Sequence, residues 1–113
     1  MAEVEVPTKA DAIALLARRL RGHYGDRLQK LFLLKDDPYE PSGEDFAIFL
    51  VAVLADDVYN PFETVGEVVH IGNEVDAEID YTVASAIYPL SVSEFEAGDR
   101  WPARAAREDG VVL

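Results

Sequence analysis

The sequence predicts an α/β (α+β) domain, a small mixed β-sheet with helices packed on it, in the order helix–strand–loop–strand–helix–strand–helix. Three observations carry this. Two apolar runs, Leu28–Lys35 and Asp45–Leu54, flank a charged loop rich in proline and acid, Asp36–Glu44. Before and after them, apolar residues recur at spacings of three and four, as helices require. A third apolar run, Thr82–Leu90, supplies another strand.

The second run is the core of the fold. Side chains of a strand alternate between its faces, so Asp45, Ala47, Phe49, Val51 and Val53 share one side and Phe46, Ile48, Leu50, Ala52 and Leu54 the other. Both sides are apolar, which predicts a central strand covered on both faces. Ahead of it, Met1–Pro7 reads as a ragged lead-in, and Thr8 with Asp11 approximates a capping box. Ala10, Ile13, Ala14, Ala17 and Leu20 form the inward stripe of the first helix, and Gly22 and Gly25 mark its fraying and the turn into the first strand. Arg18, Arg19 and Arg21 near its end suit the helix dipole; a phosphate clamp is the functional alternative, and the solvated, dipole-matched face is favoured.

After Asp56-Asp57, Pro61 suits the first turn of a second helix. Phe62, Val65, Val68, Val69, Gly72, Val75 and Ile79 keep its apolar spacing, while Glu63, Glu67, Glu74 and Glu78 fall toward solvent. Gly66 and Gly72 each weaken such a helix by roughly 1 kcal/mol, so a bend or early end is expected. Ser91 and Glu94 form a second capping box that opens a short helical turn through Phe95. Trp101-Pro102 lead into a last helix, Ala103–Glu108, closed by Gly110. Trp101 is expected as a lid packed on the core, with an exposed partner anchor as the sharper alternative.

Composition bounds the function. A chain of 113 residues, half of them apolar, makes one domain over residues 1–113. The absence of cysteine excludes disulfides and thiolate ligands, and two distant histidines, His23 and His70, do not suggest a zinc site. No apolar run reaches membrane-spanning length and the acidic start MAEVEV is unlike a signal peptide, so a cytoplasmic protein is expected. The net charge of -12 disfavours direct nucleic-acid binding. Abundant acids with scarce lysine suggest a halophilic, salt-adapted surface.

The stretch KLFLLKDDPYEPSGEDFAIFLVAVL resembles the minimal nucleotidyltransferases, small relatives of the DNA polymerase beta nucleotidyl-transfer fold. Their signature is a strand ending in Gly-Ser, a basic loop ending in Gly, then Ser-Asp-x-Asp opening the next strand. The closing Gly-Val-x-Leu pattern, met here in Gly110–Leu113, is also similar to the family. At the diagnostic positions this chain departs from it. Lys35 and Asp36 stand where Gly-Ser belongs, and Ala47 and Phe49 stand at the two aspartates. Gly-Ser lets backbone N–H groups approach nucleotide phosphates, and the paired aspartates hold magnesium. Here the loop is acidic, no shift of register restores the pair, and Thr82–Leu90 lacks a third carboxylate, Asp80 being the nearest. The resemblance therefore implies a catalytically inactive pseudoenzyme without cofactor. As an antitoxin-like binding module, it would partner a small helical HEPN-type protein, or itself, through Tyr39, Glu40 and Trp101. The alternatives are an active enzyme with relocated acids (Asp36, Asp37 and Asp45) using magnesium and a nucleoside triphosphate, and a homo-oligomeric structural protein.

Overall fold

The computed structural model describes residues 9–34, 47–80 and 84–113. Helix α1 (Lys9–Tyr24) runs through a short 3-10 turn into strand β1 (Leu28–Leu34). Strand β2 (Ala47–Leu54), helix α2 (Glu63–Glu78) and strand β3 (Ala84–Ser91) follow, then helices α3 (Val92–Ala97) and α4 (Trp101–Asp109) and strand β4 (Val111–Val112). The sheet order is β3-β2-β1-β4. β1 pairs antiparallel with β2 and β4, whereas β2 and β3 run parallel and are joined by α2, since parallel neighbours need a long crossover. The fold is α+β, a four-stranded mixed sheet with helices packed on both faces.

The two-sided strand read from the sequence is β2. Ile48, Leu50, Ala52 and Leu54 are buried with Leu16 and Leu20 of α1 and Val68 and Val75 of α2. Val51 and Val53 are buried on the opposite face with Phe32, Leu34, Phe95 and the small residues Ala103 and Ala106 of α4, and Phe49 packs half-buried against them. Alternation of side chains along one strand thus feeds two separate apolar layers. In the first layer, Tyr24 closes the end of α1; burial and then the Glu67 carboxylate push its phenol up to about 12.

Several local expectations need correcting. α1 does not fray at Gly22 but continues to Tyr24, while the turn falls on Gly25 as expected, whose φ of 58° suits a residue without Cβ. α2 does not stop at its glycines but continues through both to Glu78. Gly72 has a packing reason: a Cβ there would lie 3.2 Å from Ser85 Oγ and 3.7 Å from Ile87 Cδ1, so glycine lets α2 lie close on β3. Pro61 precedes the regular helix, in a turn closed by Thr64 N–H donating to Asn60 O at 2.8 Å. The Asn60 side chain accepts from the N–H groups of Phe62 and Glu63, and Thr64 Oγ accepts from Asn60 N–H. α4 begins two residues earlier than expected, at Trp101, with Pro102 in its first turn, where a missing N–H costs nothing. The two-residue strand β4 is too short to leave a periodic signal, and the sequence gives no sign of it.

The capping box at Ser91 is present as expected. Ser91 Oγ accepts from Glu94 N–H at 3.1 Å and Glu94 Oε1 accepts from Ser91 N–H at 3.2 Å. Gly98, in the left-handed conformation, ends α3. Two further fastenings bind this helix. Asp56, at the end of β2, accepts from both the backbone N–H and the hydroxyl of Ser93. Arg107 of α4 donates to the carbonyls of Phe95 and Glu96.

Candidate functional site

Of the residues that the family resemblance makes diagnostic, Phe49 has a described side chain. It lies on the β2 face that carries Val51 and Val53, directly opposite Leu34 of β1 and Ala86 of β3. It belongs to the apolar layer under α3 and α4, so the position of the second family aspartate holds a ring against hydrocarbon. The backbone of Ala47 opens β2 beside Ala84. Lys35, Asp36, Asp37, Tyr39, Glu40 and Asp45 lie outside the described residues, as do Thr8 and the loop Asp36–Glu44. Asp80 is exposed just after α2.

Among the described residues no three His, Asp or Glu side chains are grouped as metal ligands would be. Both histidines have carboxylate neighbours. His70 Nε2 is 2.9 Å from Glu74 Oε1, one helical turn on, and His23 Nε2 is 2.9 Å from Glu67 Oε2 across the α1–α2 contact. Arg19 likewise reaches Glu74 and Glu78 of α2. Arg19 and His23 of α1 thus meet Glu67, Glu74 and Glu78 of α2, expected to face water, along the seam between the two long helices. Exposed pairs of this kind contribute about 0–1 kcal/mol each.

The concave feature with the clearest chemistry is a cleft of about 480 Å³ along the outer side of β3. α2 forms one wall through Val65, Val69 and Gly72, and β3 forms the floor through Ile87 and Pro89. Trp101 forms the far end, its indole edge-on to Tyr88 with ring centroids 4.7 Å apart. Trp101 is half-buried, which fits the expected lid, and it also lines this cleft. Tyr59 and Arg100 close the same end beside Glu94, whose carboxylate accepts from Arg100 Nη1 at 2.6 Å. Burial and then the Glu94 charge raise the Tyr59 phenol above its ordinary value, so it stays protonated and can donate a hydrogen bond.

The cleft exposes apolar surface that the spacing of α2 had assigned to the core. Val65 and Val69 are 45% and 51% exposed, and Phe62 at the head of the helix is 90% exposed. Val68, Gly72 and Val75 are buried as expected. The apolar stripe of α2 is wider than the described sheet beneath it, in which β3 is the edge strand on that side.

A scan against protein-family models finds no match to this chain, and searches of the curated proteins and of the solved structures find none either.

Proposed function

We propose that the protein is a nucleotidyltransferase-like domain without nucleotidyl-transfer chemistry, working in the cytoplasm as a binding module for another protein. In the setting its sequence resemblance implies, that partner is a small helical HEPN-type protein, and the complex is antitoxin-like. The observation that carries this reading is Phe49, packed into the apolar layer of Val51, Val53 and Phe95 at the position where the family holds a metal-binding carboxylate. A benzyl side chain offers magnesium no oxygen ligand, and magnesium is what would join such a site to a triphosphate. The acidic segment 36–45 adds repulsion toward phosphate on sequence grounds alone. Among the described residues no helix is long and apolar enough to cross a membrane.

The test is an NMR titration of labelled protein with magnesium and each nucleoside triphosphate in molar potassium chloride. The expected result is an unchanged spectrum at millimolar nucleotide. Localised shifts around residues 35–49 would overturn the proposal and restore a nucleotide site.

A further inference from the structure

We infer that the cleft along β3 is the docking site for an extended, cationic segment of the partner protein, which adds as a fifth strand to the free edge of the sheet. The inference deepens the binding-module proposal and rests on it.

The backbone of β3 is available for such pairing. Its ladder to β2 runs unbroken from Ala84 to Ser91, through Pro89, which has no N–H to give. Residue 89 must therefore turn its N away from β2, and so must the residues two and four before it, Ile87 and Ser85. Their N–H and C=O groups point to the edge that no described strand covers. Pro89 also sets a limit, because a partner strand can pair only with the part of β3 that precedes it. Beside this edge stand Val65 and Val69, giving alternate side chains of an added strand an apolar seat.

Charge selects the occupant. From Ala47 to Asp99 the chain carries eleven Asp and Glu and neither Lys nor Arg; seven of its ten Lys and Arg precede residue 36 and three follow residue 99. The wall α2 and the floor β3 of the cleft both come from this acidic span, while α4 closes its far end with Trp101. Asp76 of α2 accepts from the cleft-lining Ser85 hydroxyl at 2.9 Å, and the one Arg lining the cleft, Arg100, is engaged by Glu94. A second copy would bring like net charge against like, whereas a basic strand is attracted by the chain's net charge of -12.

The test uses the full chain and a short synthetic peptide alternating valine with lysine. Its controls are the same peptide N-methylated at alternate residues, which keeps charge but cannot pair as a strand, and a valine–glutamate peptide. The expected result is NMR shifts confined to the amides of residues 84–88 and the methyls of Val65, Val69 and Ile87, for the unmethylated lysine peptide alone. Val69→Lys, at an exposed position that leaves the core intact, should weaken binding by about tenfold. Equal binding of the methylated peptide, with shifts spread over the acidic surface, would overturn the inference. So would a dimer in low salt abolished by Val69→Lys, which gives the edge to a second copy, or contacts from residues 35–46 seated in the cleft. Absence of peptide binding would remove this surface but leave the binding-module proposal standing; nucleotide shifts near Phe49 would remove that proposal whatever the peptide does.

Discussion

The two faces of β2 are covered in different ways. Under α1 and α2 lie long aliphatic side chains, Leu16, Leu20, Ile48, Leu50 and Val75, on two helices of sixteen residues each. Under α3 and α4 the helices have six and nine residues, the helix side chains are small or aromatic, and polar ties do much of the holding. Asp56 binds Ser93, Ser91 and Glu94 cap one another, and Arg107 lies over the Phe95 ring at 5.0 Å while donating to the carbonyls of Phe95 and Glu96. A helix of six residues is too short to be stable by itself, so its ends must be fastened by specific partners. One face depends on apolar area, and the other depends on area plus a small set of hydrogen bonds.

The contrast is sharpest at adjacent residues of β2. Leu50 points into the α1–α2 layer and is fully buried, so Leu50→Ala removes hydrocarbon from a site with little room to collapse. Its expected cost is about 2–5 kcal/mol, read as a fall in the urea midpoint without a change in slope. Phe49→Asp tests the other face. It places a carboxylate against Val51 and Val53, but Phe49 is only half-buried and water can reach part of the new group. A loss of about 1–3 kcal/mol is expected, smaller than at Leu50. A variant with an undiminished melting temperature would mean that this position faces an open, wet cleft, and the contrast between the faces would fail there.

What was legible in the sequence follows the range of the interactions. The double apolar alternation of 45–54 fixed β2 as the central strand because strand periodicity is local, and the Ser91–Glu94 box was readable because its partners are three residues apart. The bond from Ser93 to Asp56 spans 37 residues and leaves no pattern at either end. The three–four spacing of α2 identified an apolar stripe but not how much of it the sheet would cover. Val65 and Val69 were therefore assigned to a core that ends at β3. Trp101 was legible as an aromatic lid, but its contact with Tyr88 and its place in the cleft arise only when β3 and α4 come together. The segregation of charge was open to view in the sequence. Eleven acids without Lys or Arg between Ala47 and Asp99 include those of α2, which packs directly on β3.

The smallest expected effect is a difference between the two faces in acid. Burial alone would raise the Glu94 carboxyl, yet hydrogen bonds from Arg100 and Ser91 outweigh it and hold the group below its ordinary value. The hydroxyl of Ser93, then its backbone N–H, does the same for Asp56. A carboxyl depressed in the folded state contributes stability that is present above its unfolded pKa and is lost as the pH falls through its folded one. Both groups fasten α3, so lowering the pH below the usual carboxylate range, about pH 4, should loosen the α3–α4 layer first. Trp101 fluorescence should then change at a higher pH than the methyl signals of Leu50, which sits among aliphatic side chains of α1, α2 and β2. Asp56→Asn keeps one carbonyl acceptor for Ser93 and removes the titration, so it should narrow the gap between the two midpoints while weakening the tie at neutral pH. Coincident midpoints in the unsubstituted protein would show that the two layers melt as one cooperative unit, whatever the difference in how each is held.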